Sequence, residues 1–354
     1  MSFPCIPEAG FFDSPEFLSF ALHFTTSIST PIHILGLYFL LFKTPDYMKT
    51  VRWYMVNLHT WIILFDYSVG ILTVPIVLLP SFAGYSFGVL TKFKVPNLYQ
   101  ALLVLNCLGY VQISIMAIFE NRFHTICDYI GKEYWTWLRY PWLATHYFGV
   151  FGVLLSFGYM TPDQSFAIET VLKACSSAIQ FCNNPFLEAF QRLPCLLRDL
   201  YEAPILVIAE DYTYHVIVCM SFIAFYCTEG FIFTGSIIYH SIKQLKTKRM
   251  SRRTFQMQKN TFIALIIQMK VPLIMIIVPS LYGWISLLTN YHNQALMNIA
   301  VTIGSFHGAF STVVMIFVHR PYREAITSIF VKQSGRVNVT EFQQRKDIFV
   351  VINY

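Results

Sequence analysis

Long apolar runs separated by short polar segments dominate the chain. Seven runs are long enough to cross the hydrocarbon core of a bilayer, which takes about 20 helical residues. They lie at residues 17–42, 54–80, 97–119, 141–160, 212–242, 261–288 and 295–318. The pattern predicts an all-α membrane protein, a bundle of seven transmembrane helices over residues 17–318 with terminal segments at 1–16 and 319–354.

The segment Lys243–Lys259 sets the expected sidedness of the loops. It is rich in Lys and Arg, contains no acidic residue and lies between two apolar runs. A short basic loop of this kind is held on the cytoplasmic side of a membrane. Most of the 25 Lys and Arg residues then fall in segments on that same side. We therefore expect residues 1–16 to be extracellular and residues 319–354 to be cytoplasmic.

Composition supports the membrane class. The chain is 55% hydrophobic and only 12% charged, whereas about a quarter of the residues in soluble domains are charged. The lipid bilayer is therefore an expected partner, and the net charge of +6 gives no reason to expect nucleic acid. After Pro321, apolar residues recur at helical spacing, which predicts a short amphipathic helix on the inner leaflet after the seventh span.

The predicted spans contain Asp66, Glu229, Lys270 and His307. Ionisable side chains are costly inside a membrane, so each of them is a candidate functional residue. Helical rise places all four about 15–20 Å from the inner face. The shared depth predicts two pairs, Glu229 with Lys270 and Asp66 with His307. Three interpretations remain open: a packing or inactive-state lock that touches no ligand, direct ligand contact, and ion coupling.

Glu120 and Arg122 lie at the inner end of the third predicted span. One interpretation is a conformational latch whose Arg is released when the inner face opens to a partner. The other is a basic anchor beside a solvated acid. Spacing alone does not choose between them.

The longest outer segment, Thr161–Asp211, is expected to be functional or partly ordered. It holds three cysteines, and the N-terminal segment holds a fourth. Cys5, Cys175, Cys182 and Cys195 are therefore disulfide candidates with three possible pairings, with unpaired thiols as the alternative. No zinc-protease His-Glu-x-x-His pattern and no Cys-x-x-Cys occurs, so an enzyme, a metal site and a cofactor are not expected.

Several short motifs are similar to those of the nematode serpentine receptor class H chemoreceptors, within the larger Str-type superfamily of seven-helix receptors. The resemblance extends over about residues 14–326. The most specific motif is His319-Arg320-Pro321-Tyr322-Arg323-Glu324-Ala325. The others are Ser14-Pro15-Glu16-Phe17, Pro31-Ile32-His33, Lys43-Thr44-Pro45, Leu58-His59, Pro80, Ala83-Gly84, Phe119-Glu120-Asn121-Arg122, Pro162-Asp163-Gln164 and Leu193-Pro194-Cys195.

The resemblance implies a chemosensory G protein-coupled receptor in the ciliary plasma membrane of a sensory neuron. Its partners would be a small-molecule odorant and a heterotrimeric G protein. The ligand would bind among the outer halves of the helices, and the G protein would meet the basic loop with Arg122, Arg320 and Arg323. The motif at Glu120 differs from the rhodopsin-like pattern of an acid directly followed by Arg, because Asn121 intervenes.

A second class of function stays open from the residues alone. A ligand-gated channel or transporter could use the buried Asp66, Glu229 and Lys270. Transporters often contain internal repeats, and the sequence shows none. No residue of the outer halves is distinctive enough to name as a ligand contact.

Overall fold

Helices account for most of the chain. The computed structural model describes residues 10–170, 204–247, 251–289, 291, 293–319 and 321–327. The helices are α1 (Pro15–Phe42), α2 (Lys49–Tyr67), α3 (Val89–Lys92), α4 (Asn97–Ile126), α5 (Lys132–Tyr159), α6 (Gln164–Thr170), α7 (Thr213–Lys246), α8 (Arg252–Thr289), α9 (Gln294–Ser305), α10 (His307–Val318) and α11 (residues 321–327). Short 3₁₀ turns occur at Phe11–Asp13 and Asp46–Met48.

Five helical stretches among the described residues are long and apolar enough to cross a membrane. They are α1, α2 with the turn that follows it (Lys49–Thr73), α4, α7, and α9 with α10 (Gln294–Val318). Helix α5 meets the same criterion together with α6, and the two are bent by 74°. In α8 the apolar part is the shorter stretch Ile274–Thr289.

Helix α1 begins where its sequence provides a cap. The Ser14 hydroxyl accepts a hydrogen bond from the Phe17 backbone N–H at 3.1 Å, and Pro15 occupies the first helical position. Pro is favoured there because that N–H has no helical partner. Pro31 lies further along, and α1 continues through it.

The second predicted span is wrong at its C-terminal end. Helix α2 stops at Tyr67, passes into a π-helical turn at Ser68–Thr73 and meets Pro75, which lacks the N–H that a continuing helix needs. The chain then forms an antiparallel hairpin of β1 (Pro75–Leu78) and β2 (Ala83–Ser86), in which Pro75 faces Ser86. The prediction of a purely α-helical protein therefore needs correction.

The third strand of this sheet comes from the long segment between α6 and α7. Strand β3 (Leu206–Val207) runs antiparallel to β2, with Ala83 opposite Val207. Gln164 fastens the same strand, since its amide oxygen accepts from the Val207 N–H at 2.9 Å and its amide nitrogen donates to the Val207 carbonyl at 3.1 Å. The start and the end of the long segment are thus tied to one sheet.

Two further predicted boundaries differ from the structure. Helix α5 begins at Lys132, inside the predicted inner loop. The predicted seventh span is divided at Phe306 into α9 and α10, and His307 becomes the first residue of α10. The short helix predicted after this span is present as α11, where the buried Tyr322 hydroxyl lies 2.8 Å from the Thr44 hydroxyl at the end of α1.

The core lies among α1, α2, α4 and α10, with α2 against α4 as the most extensive interface. Helix α7 packs mainly on α4, and α8 packs on α9 and α10, so α7 and α8 make few direct contacts. Large apolar side chains cover the outward faces, among them Phe20, Phe24, Phe148, Phe231 and Phe317. An apolar exterior of this extent is what a lipid environment requires.

Candidate functional site

A polar cluster in the centre of the bundle is built around Asp66 on α2. His33 Nε2 on α1 lies 2.9 Å from Asp66 Oδ2, and His307 Nδ1 on α10 lies 3.2 Å from Asp66 Oδ1. All three side chains are at least 97% buried. The predicted pairing of Asp66 with His307 is present, and His33 is a further partner that the sequence analysis did not name.

Small and polar neighbours make room for this central cluster. Gly308 lies so close to the Asp66 carboxylate that a Cβ at this position would collide with it. The Thr312 hydroxyl lies 3.3 Å from His33 Nδ1, and His59 Nε2 lies 3.0 Å from the His33 carbonyl oxygen. The cluster therefore joins α1, α2 and α10 through one carboxylate, and burial makes each of these contacts costly to break.

The second predicted pair is not formed. Glu229 on α7 faces α5, where its carboxylate lies 3.0 Å from His146 Nε2 and accepts from the Trp142 indole N–H at 3.3 Å. Lys270 on α8 is exposed. Equal depth allows two side chains to meet only if their helices also turn them toward each other, and α7 and α8 barely touch.

A third buried group lies where α4 ends and α5 begins. Glu120 Oε2 accepts from Arg139 Nη2 at 2.7 Å, and Glu120 Oε1 accepts from the Trp135 indole N–H at 2.8 Å. The same guanidinium nitrogen donates to the Tyr54 hydroxyl at 2.9 Å and to Asn121 Oδ1 at 3.2 Å. We call these five residues the inner cluster; it links α2, α4 and α5.

Arg139 is the functional candidate that sequence reasoning missed. It was counted with the basic residues of an inner loop, whereas the extra turns at the start of α5 bring it onto Glu120. Arg139 comes four residues after Trp135, and residues at that spacing lie on the same face of a helix. That spacing was the available signal, but it requires the helix to begin near Lys132.

Arg122 stands apart from the inner cluster. It is partly buried, and no described acidic side chain forms a salt bridge with it. Arg122 interacts electrostatically with His319, the residue just after α10. Burial lowers the pKa of His319 to about 4, and the positive charge of Arg122 contributes to the same shift. Glu120 is therefore paired with Arg139, while Arg122 points toward the junction of α10 and α11.

Of the remaining predicted switch and disulfide residues, the structure describes Arg323 alone. Arg323 on α11 is exposed and donates to the Phe317 carbonyl at 3.1 Å. Arg320 lies outside the described residues, and so do the four disulfide candidates Cys5, Cys175, Cys182 and Cys195.

An open cavity of about 380 Å³ lies at the end of the bundle where α7 ends and α8 begins. We call this the basic end, because Lys243, Lys246 and Lys259 lie there, and we call the opposite end, which carries the three-stranded sheet, the sheet end. The walls come from the last residue of α4, the last turns of α7 and the first turns of α8, and they are apolar except for Ser241 and Lys259. The lining residues are Ile126, Ile237, Ile238, Ser241, Ile242, Phe255, Lys259, Phe262, Ile263 and Ile266.

Side chains at the junction of α4 and α7, beside this cavity, bond to backbone carbonyl groups of the neighbouring helix. Gln244 Nε2 donates to the Ile126 carbonyl at 2.9 Å. The Cys127 thiol lies 3.6 Å from the Ser236 carbonyl oxygen, and burial raises the pKa of that thiol to about 11. The α4 side of the cavity is therefore fixed, while α8 closes it with few contacts to α7.

Comparison with known proteins decides what kind of molecule carries this arrangement. A family model described as serpentine type 7TM GPCR chemoreceptor Srh matches residues 13–187 and 183–332. The chain belongs to this Srh family of chemoreceptors. Serpentine receptor class H-72 of Caenorhabditis elegans is 28% identical over 346 residues, which are 95% of this chain and 92% of the relative.

Family membership confirms the resemblance drawn from the short motifs. It places the chain among multi-pass membrane receptors, and the family is one of chemoreceptors rather than enzymes. The matched residues include the Asp66 cluster, the inner cluster and the cavity walls. These sites are therefore parts of a chemoreceptor fold.

Proposed function

We propose that this Srh-family chain is a chemosensory G protein-coupled receptor that binds a small-molecule cue and passes the signal to a heterotrimeric G protein. In this proposal seven helices span the plasma membrane, the sheet end is extracellular and the basic end is cytoplasmic. The distribution of Lys and Arg supports that orientation. Residence in a sensory cilium is a further part of the proposal.

The observation that carries the proposal is the cavity at the basic end. Its walls are apolar except for Ser241 and Lys259, and among the described residues α7 and α8, which flank it, make few contacts with each other. A partner with an amphipathic helix would place its apolar face among the isoleucines and meet Lys259 and the basic segment at the rim. Separation of α7 from α8 would widen the cavity without breaking an extensive interface.

We infer that the two buried clusters stabilise the resting packing of the helices on which α7 and α8 lie. The inner cluster holds α4 against α5, and the Asp66 cluster holds α10 against α1 and α2. Ligand binding at the sheet end would favour a state in which one or both are rearranged. Only a ligand with different affinities for the two states can shift their populations.

The channel or transporter alternative requires Asp66, Glu229 and Lys270 to lie along one path, and the structure places them apart. Asp66 is enclosed between α1, α2 and α10, Glu229 faces α5, and Lys270 is exposed. Three charges in separate places do not line one path. No specific observation favours this alternative over the receptor.

The test uses two identical substitutions on the same helix. Ser241 lines the cavity, while Ser221 is exposed nearer the other end of α7 and bonds only to the Ile217 carbonyl of its own helix. We expect Ser241→Trp to fill the cavity and abolish the G protein second-messenger response to an activating ligand. Ser221→Trp should leave it intact.

Second messenger and membrane current are recorded together from cells with matched surface expression. A ligand response that is lost in Ser241→Trp and kept in Ser221→Trp, without a direct current, supports the receptor. A ligand-evoked current that persists when G proteins are blocked would refute it.

A further inference from the structure

His215 is a buried imidazole that forms no side-chain hydrogen bond in the described part of the structure. It lies in the first turn of α7 at the sheet end and is 3% exposed. Neither Nδ1 nor Nε2 has a hydrogen-bond partner. Leaving buried polar atoms unpaired costs free energy, so each such group in a folded protein calls for an explanation.

Aromatic rings surround this imidazole. The Phe157 ring of α5 is centred 4.6 Å away, the Phe82 ring 5.6 Å away and the Tyr214 ring 5.7 Å away. The Tyr214 hydroxyl lies 3.3 Å from the Ser156 hydroxyl instead of bonding to His215. The rings make the surroundings largely apolar; the Asp211 carboxylate, four residues earlier, interacts with the imidazole electrostatically but forms no hydrogen bond with it.

Phe82 is the part of the enclosure that lies in a turn outside the helices. It lies in the turn between β1 and β2, is only partly buried and has a φ of 46°, a left-handed conformation that is uncommon outside glycine. Its carbonyl accepts from the Ile208 N–H at 3.0 Å, so the turn is coupled to the long outer segment. Phe157, by contrast, is buried within a long helix.

We propose that His215 is the polar anchor of the ligand site, and that the ligand is a small, uncharged, largely apolar molecule with one oxygen function, such as an alcohol or a ketone. A neutral imidazole offers one donor and one acceptor, which suits a hydroxyl or a carbonyl. The aromatic rings contact the apolar part, and an ionised group would be poorly solvated there. The ligand enters as Phe82 swings outward with its turn.

This inference rests on the proposed receptor function, and it names the residue that anchors the ligand and the chemical class of that ligand. The probes are a matched series on one short carbon chain: the hydrocarbon, the alcohol, the ketone, the carboxylic acid and the amine. We expect the full chain to respond to the alcohol or the ketone and not to the other three.

His215→Phe keeps a ring and removes both nitrogens. We expect the concentration for half-maximal response to rise about tenfold or more, which corresponds to the loss of one good hydrogen bond. The unfolding temperature of the purified full chain should be unchanged or higher, because no unpaired polar atoms remain buried. A merely structural histidine would show the opposite, a fall in stability.

His215→Gln retains one donor and one acceptor and should keep part of the response. The matched control is His240→Phe, the same substitution nearer the basic end of α7, where the ring of His240 contacts Tyr239. It should leave the half-maximal concentration unchanged. A His215→Phe response within twofold of the unsubstituted chain, or a lower unfolding temperature for this variant, overturns the proposal.

Two further measurements separate failure here from failure of the proposed function. Ligand-induced shifts in unfolding temperature report binding without any G protein; a shift with the alcohol or ketone that His215→Phe loses supports the anchor, even if coupling fails. If no probe shifts the unfolding temperature or evokes a response while Glu120→Gln raises basal signalling, the receptor stands and the assigned ligand class is wrong. A response to the hydrocarbon, the acid or the amine equal to the response to the alcohol or ketone would also overturn the assignment of His215 as the ligand anchor.

Discussion

Replacing Glu120 with Gln tests whether the inner cluster restrains the receptor. The substitution keeps the shape of the side chain and an oxygen that accepts from Trp135, but it removes the negative charge that faces Arg139 at 2.7 Å. A hydrogen bond to a charged partner contributes about 1.5–3 kcal/mol. Because Glu120 and Arg139 are both at least 90% buried, solvent screens little of this loss.

That free energy converts directly into a shift of populations. If the pair is made only in the resting state, losing about 1.5–3 kcal/mol changes the ratio of active to resting receptor about 10- to 150-fold. Starting from an active fraction of about 1%, which is typical of a minor state, the basal active fraction becomes about 10–60%. Basal signalling without ligand should therefore rise at least severalfold.

The assay is the basal G protein second messenger in cells expressing Glu120→Gln or the unsubstituted chain at equal surface density. The matched control is Asp46→Asn, which removes one negative charge near the start of α2, where Asp46 pairs with Lys49 and is mostly exposed. Exposed pairs contribute little, so this variant should keep the original basal signal. A Glu120→Gln basal signal no higher than that of Asp46→Asn would refute the role of the inner cluster as a restraint.

Two other predictions follow from the structure. Gly308→Ala should reduce surface expression and lower the unfolding temperature, because a Cβ at this position meets the buried Asp66 carboxylate; overpacking of this kind costs about 1–3 kcal/mol. His319 should make the receptor acid-sensitive. Its folded pKa is lowered to about 4, so its contribution is complete above the unfolded pKa of about 6.5 and is lost as the pH falls from about 6.5 toward 4. The full loss is about 3 kcal/mol, and His319→Asn should flatten this part of a plot of unfolding temperature against pH.

Each of these predictions has its own control. Gly235→Ala adds the same methyl group on α7, where nothing lies within 4 Å of the new Cβ, and should leave expression unchanged. Normal expression of Gly308→Ala would show that the Asp66 cluster tolerates more volume than its packing indicates. For His319, the contradicting result is an unchanged pH profile after substitution, which would assign the acid sensitivity to other groups.

Much of the helical framework follows from the sequence, because a run of about 20 apolar residues has few alternatives in a bilayer. The runs at 17–42, 97–119 and 212–242 correspond to α1, α4 and α7. The depth of Asp66 and His307 also follows from helical rise, and the structure brings these two side chains together.

Features that depend on helix rotation were decided only by the tertiary structure. Depth along a helix can be counted, but an apolar helix gives little sign of which face meets protein and which meets lipid, since both are apolar. Glu229 therefore met His146 on α5 instead of Lys270 on α8. Arg139 was counted as a loop charge until the early start of α5 placed it on Glu120.

The sheet end shows the same limit in another form. Strand β3 joins the hairpin through residues more than 120 positions away in the chain, and such pairing leaves little trace in local periodicity. The enclosure of His215 likewise depends on rings from three separate elements. The sequence by itself determined the apolar segments, the basic end and the common level of Asp66 and His307 along the bundle, because each follows from counting consecutive residues. The partners of those charges were decided by the packing of distant segments against one another.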